Sequence, residues 1–118
     1  MAGSYGELKI ADVLDDLGLP YEREYIFNDL VASSGKPLRF DFAVFEDDGS
    51  IMALIEYNGE QHYVADGRQG RTGFARQQYN DEQKVNYCKS KGYKLIVIPY
   101  WQYANITKEN LFAALGMK

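Results

Sequence analysis

The chain has 118 residues, of which 46% are apolar and 14% aromatic; this suits a single globular domain over 1–118 and excludes a disordered segment. Its 17 acidic residues outnumber 13 basic ones, and the formal charge of −4 lacks the basic footprint common among nucleic-acid binders. Cys88 is the one cysteine, so no intrachain disulfide forms; with no signal-peptide pattern and no apolar run near the roughly 20 residues of a membrane span, a soluble, cytoplasmic protein with no membrane partner is expected.

Leu8, Ile10, Ala11, Val13, Leu14 and Leu17 mark one apolar face and predict a helix over 5–17, started by Gly3-Ser4 and stopped by Gly18 ahead of Pro20. Tyr21 to Phe27 reads as a first strand, and 28–37, with Ser33-Ser34-Gly35-Lys36-Pro37, as a loop. Leu38 to Phe45 and Ile51 to Tyr57 are the second and third strands, joined by the hairpin turn Asp47-Asp48-Gly49-Ser50. The polar, glycine-punctuated stretch 59–73 reads as a loop, and 74–91 as a helix with Phe74, Val85 and Cys88 near one face and a stop at Gly92. Tyr93 to Pro99 is almost continuously apolar, the pattern of a strand buried on both faces, and 108–115 is a closing helix. The order α-β-β-β-α-β-α predicts an α/β domain with a mixed sheet flanked by helices.

Asp41 and Glu56 interrupt two otherwise good strands. Acidic residues are poor strand formers and are seldom buried without a partner. With Glu46 facing Ile51 across the turn, counting back places Asp41 opposite Glu56, on a face shared with Ala43, Phe45, Met52 and Leu54. Directly opposed residues hold their Cβ atoms about 5 Å apart, and two carboxylates that close resist ionising together. A hard cation taking oxygen ligands, Mg²⁺ with Mn²⁺ as a substitute, resolves that conflict. The plainer alternative is a salt bridge from Arg39, Lys84 or Arg76 to either acid. A one-residue register shift would instead send the two acids to opposite faces.

The element order, with Asp41 on the second strand and Glu56-Tyr57-Asn58 on the third, resembles the PD-(D/E)XK nuclease superfamily and its restriction-endonuclease-like core. Arg39-Phe-Asp-Phe42, Ile55-Glu-Tyr-Asn-Gly-Glu-Gln-His62 and Asp81-Glu-Gln-Lys-Val-Asn-Tyr-Cys88 are similar to a phage and bacterial subgroup related to very-short-patch-repair and homing endonucleases. The resemblance covers nearly the whole chain. It implies a metal-dependent DNA endonuclease in which Asp41, Glu56 and the carbonyl of Tyr57 hold Mg²⁺, and Glu7 on the first helix holds water on the cation. Where the family signature carries a lysine, this chain has Asn58, which is neutral and cannot act as a base. Two residues can take its place: His62, in the position of the repair-endonuclease histidine, and Lys84, as a lysine migrated to the long helix. Histidine as a residue type titrates near neutrality, which suits proton transfer. His62 is therefore the expected proton carrier and Lys84 the expected phosphate contact. Asp81 and Asp66 are weaker candidates as orienting groups, as are Asn58 and Gln61.

Each of these has an ordinary reading as well. A histidine in a polar loop is commonly plain surface, Lys84 is at helical spacing to pair with Asp81, and an acid such as Glu7 is favoured near any helix N-terminus. Arg68, Arg71 and Arg76, set among glycines just after His62, form the one basic strip and are the expected DNA contacts. Tyr100-Trp101-Gln102-Tyr103 could stack on bases or serve as packing residues. DNA is the expected partner, and a homodimer would suit symmetric double-strand cutting. The competing expectation is a nuclease-fold module without activity that binds nucleic acid or protein; Asn58 and the acidic charge favour it.

Overall fold

In the computed structural model, residues 4–63 and 70–117 are described, with Gln61 described for its backbone only. Four strands form one sheet in the order β1 (Tyr21–Val31), β2 (Pro37–Phe45), β3 (Ile51–Asn58), β4 (Leu95–Pro99). The first three are antiparallel, and β4 joins β3 in parallel after a helical crossover. Helix α1 (Tyr5–Leu17) and helix α3 (Lys108–Ala114) cover one face, and α2 (Gly70–Lys91) covers the other. The α/β class and the mixed sheet flanked by helices are thus as expected from the sequence.

Local chemistry sets the helix ends. Ser4 Oγ accepts the Glu7 N–H at 3.2 Å to cap α1, and Gly18, at φ 70°, closes it in the left-handed conformation. Thr107 caps α3 by accepting from the Asn110 N–H. α1 seats Ile10, Val13 and Leu14 on Phe42, Val44, Ala53 and Ile55, joined by Ile106, Leu111 and Leu115. The opposite face holds a smaller core of Leu30, Leu38, Phe40, Ala43, Leu54 and Cys88. At Gly6 the α1 backbone lies directly on the Tyr57 ring, and any Cβ there would overlap it.

Several boundaries differ from expectation. β1 runs to Val31 rather than Phe27, with an irregularity in its pairing to β2 between Ile26 and Val31, so the loop shrinks to the turn at 32–36. α2 begins at Gly70, so residues 70–73 of the arginine strip, expected as loop, are helical. β4 was expected to be buried on both faces, but it is the edge of the described sheet, and Val97 is 42% exposed. Its apolar run reflects parallel pairing with β3, not enclosure.

The hairpin register holds where it matters and slips near the turn. Phe42 faces Ile55, Ala43 faces Leu54 and Val44 faces Ala53, as counted, and the ladder ends there, one residue short of Asp41 and Glu56. Closer to the turn, Phe45 pairs with Ile51 in place of the expected Glu46, which leaves Met52 as a bulge residue. Met52 consequently packs on the α1 face, while Ala43, Phe45 and Leu54 keep the α2 face. A second irregularity sits at Asp41 itself. Leu38 and Phe40 pack toward α2, but Phe42 and Val44 pack toward α1, so the alternation of β2 slips by one there. Across from it on β1, Glu24 has φ 51°, the one non-glycine residue with positive φ among those described.

Candidate active site

The slip in β2 brings Asp41 to a point between the two helical layers. Its Oδ2 accepts the backbone N–H of Tyr57 at 2.7 Å, so a side chain replaces a ladder acceptor at this position. Burial is the main effect on its carboxyl, pushing it up to about 6; the Tyr57 N–H opposes this, and the neighbouring charge of Glu7 adds to it. Glu7 is itself held by Arg23 at 3.2 Å.

Glu56 stands on the α2 face of β3 and is 5% exposed. Lys84, reaching down from α2, places Nζ 2.7 Å from Glu56 Oε1, with the two side chains 12% and 7% exposed. Burial nevertheless pushes the Glu56 carboxyl up to about 7, with Lys84 opposing and the charge of Asp41 adding to the rise. One lysine therefore does not compensate the paired acids. The salt bridge expected as the plainer alternative is present at Glu56, supplied by Lys84. Arg39 pairs with Glu24 at the surface instead, and Arg76 is exposed.

His62 lies in a single 3₁₀ turn, Glu60–His62, directly after β3. Its Nδ1 is 2.9 Å from Asp81 Oδ2 on α2, and its side chain is 11% exposed. Asp81 is also within 3.4 Å of Gln77 Nε2, so it is tied to its own helix. Asp81 therefore orients His62 and does not pair with Lys84, contrary to the helical-spacing alternative. A cavity of about 370 Å³ collects these groups: Glu56, Asn58, His62, Asp81 and Lys84 line it together with Tyr63 and Gln78. Asn58 is 8% exposed, and its Oδ1 has no hydrogen-bond donor among the described residues. Its Nδ2 makes only a long contact of 3.5 Å to the Tyr63 hydroxyl.

The expected residues thus divide into three groups. Asp41, Glu56, Tyr57, Asn58, His62, Asp81 and Lys84 converge, with Glu7 beside them. Arg71 and Arg76 are exposed on the opening turns of α2. Arg68, Asp66 and the side chain of Gln61 lie outside the described residues. Sequence reasoning missed the role of Tyr63 in the cavity wall; an aromatic directly after the candidate histidine was the available signal.

Among the described residues, no three His, Cys, Asp or Glu side chains form a ready-made cation cage. The donor chemistry still fits Mg²⁺, which keeps several waters and is commonly held by one or two carboxylates. Burial raises both acids above the ordinary carboxylate range, Lys84 contacts Glu56 through Oε1, and the buried Asn58 Oδ1 is an acceptor suited to water.

No family model matches the chain, and no solved structure matches it. An uncharacterized protein, 307L of Invertebrate iridescent virus 6, is 33% identical over 70 residues, which cover 58% of this chain and 36% of that protein. The chain therefore spans little more than a third of that relative's length. No helix among the described residues is long and apolar enough to cross a membrane.

Proposed function

We propose that this chain is a metal-dependent DNA endonuclease with a restriction-endonuclease-like core. The reading is carried by one observation. A buried acid, Glu56, the lysine paired with it, and a histidine fixed by an aspartate line one small cavity, and a second acid, Asp41, stands close enough for its charge to act on Glu56. Structural ion pairs alone do not call for a carboxyl pushed up to about 7 beside a buried, donorless amide oxygen.

Asp41, Glu56 and the Tyr57 carbonyl would hold the Mg²⁺ ion, which when bound would stabilise negative charge on the scissile phosphate and lower the pKa of water. The remaining roles belong to the chain. Asp81 at Nδ1 fixes the ring of His62, leaving Nε2 to accept a proton from the attacking water. Lys84, which holds Glu56 at 2.7 Å, would also offset charge on a phosphate oxygen brought to the pocket. Arg71 and Arg76 follow the DNA backbone from the exposed turns of α2. Asn58 accepts a hydrogen bond from water and cannot itself deprotonate it.

Pure protein incubated with supercoiled plasmid, with Mg²⁺ or with EDTA, tests this. Nicking or linearisation is expected with Mg²⁺ and none with EDTA. The closed Lys84–Glu56 ion pair supports a second reading, an inactive nuclease-fold module. Retention of plasmid on the protein without a cut in either condition would favour that module.

A further inference from the structure

One edge of the cavity is aromatic. Tyr63, which lines it with Glu56 and His62, meets Trp101 at 4.7 Å between ring centroids and Tyr100 at 6.0 Å. Trp101 and Tyr100 are themselves 5.3 Å apart, nearly edge to face, so the Trp101 ring is braced. Bracing does not bury it. Trp101 is 61% exposed, Tyr63 38% and Tyr103 40%. Rings that served only to pack the segment 100–105 would be covered.

We propose that Trp101 and Tyr63 form a stacking platform for an unpaired nucleobase, so that the strand entering the acidic pocket is held single-stranded or frayed. The proposal rests on the nuclease reading only for where that strand leads. Three observations favour a base over a protein surface. The platform is continuous with the cavity that holds the candidate phosphate chemistry. Every exposed ring in it carries its own N–H or O–H, so it suits a flat ligand with a polar edge. The segment that carries it also holds a cation, since Lys9 Nζ lies 4.3 Å from the ring centre and 3.1 Å from the carbonyl oxygen of Tyr103, in the same 3₁₀ segment as Trp101. Stacking of this kind is tolerant of base identity, because every base presents a π face. A base paired within a duplex has both faces covered by its neighbours and cannot use the platform without leaving the stack.

The chain contains one tryptophan, so intrinsic fluorescence reports on the platform directly. Full-length protein in EDTA would be titrated with oligothymidylate of roughly 12 nucleotides, the matching oligouridylate, and a blunt dA·dT duplex of the same length. Saturable quenching by both single strands is expected, with the duplex at least about 10-fold weaker. Tyr63→Leu should weaken single-strand affinity about 5-fold or more in the same assay. Trp101→Ala, followed by anisotropy of a labelled oligonucleotide, should cost on the order of 10-fold, and Trp101→Phe should restore most of the loss. Equal quenching by duplex and single strand, or no quenching, overturns the proposal. So does a concentration-dependent dimer that Trp101→Ala abolishes, which would assign the face to a second copy of the chain. Plasmid nicking without single-strand quenching would remove the platform and leave the nuclease. Quenching without nicking would do the reverse.

Discussion

On the α1/α3 face of the sheet, ten buried apolar residues make one core; on the α2 face six do, and the remaining surface carries Glu56, Lys84, His62 and Asp81. The helices differ in the same way. Four of the 13 residues of α1 are buried, whereas the 22 residues of α2 contribute Cys88 alone. α2 is attached largely by polar contacts: Lys84 to Glu56, Asp81 to His62, and both Tyr87 and Lys91 to Asp29. Such contacts contribute modestly to stability when exposed and are costly when half-made. One face holds the fold together, and the other maintains an arrangement of charges that the fold would not choose for stability.

That division can be broken from either side. Asp41→Asn and Glu56→Gln should each reduce Mg²⁺-dependent plasmid cutting to background while the far-ultraviolet circular dichroism and melting temperature stay close to wild type. Gln at 56 still offers Lys84 an acceptor. Undiminished cutting in both variants would remove the acids from the chemistry. His62→Ala should slow cutting on the order of 10²–10⁴-fold at an unchanged fold. A near-normal rate there would transfer the proton-handling role to Lys84.

From the other side, Phe42→Ala should destabilise the protein by about 3–5 kcal/mol in urea titrations, because Phe42 is fully buried. Val85→Ala on α2, half-buried at the cavity wall, should cost well under half as much. Equal losses would mean that the two faces share the load. The smallest effect is a pH dependence. Burial holds Asp41 and Glu56 protonated up to about 6 and about 7 in the folded state, above the ordinary carboxylate range near 4. The folded state therefore binds more protons than the unfolded one between about pH 4 and 7, and stability contributed at low pH is lost across that window. In EDTA the melting temperature should fall as pH rises from about 5 to 8, and Mg²⁺ should recover it at pH 8. A flat profile in EDTA would place the two acids in better-compensated surroundings.

Much of this arrangement was legible in the chain. Ser4 and Gly18 bound α1 because capping chemistry is local, and the Asp-Asp-Gly-Ser turn carried the count from Gly49 back to Asp41 and Glu56. What was not legible depends on neighbours. The Met52 bulge leaves no mark in an alternation of apolar residues, since Ile51 and Met52 satisfy either face. The slip at Asp41 is likewise hidden, because Phe40 and Phe42 look alike in sequence yet enter different cores. Tyr93 to Pro99 is apolar enough for an enclosed strand, and only the strand order shows that nothing described lies beyond it. His62 and Asp81 are 19 residues apart, and their pairing needed the crossover of α2 to be in place.

The contact between Gly6 and the Tyr57 ring carries a consequence for assembly. Tyr57 presents its ring to the first helix while its backbone N–H secures Asp41, so one residue joins the seating of α1, which also packs Ile10, Val13 and Leu14 on the hairpin, to the hold on that acid. Seating α1 and holding Asp41 are thereby coupled, and a substitution as slight as Gly6→Ala, one methyl group, should disturb both and lower the melting temperature.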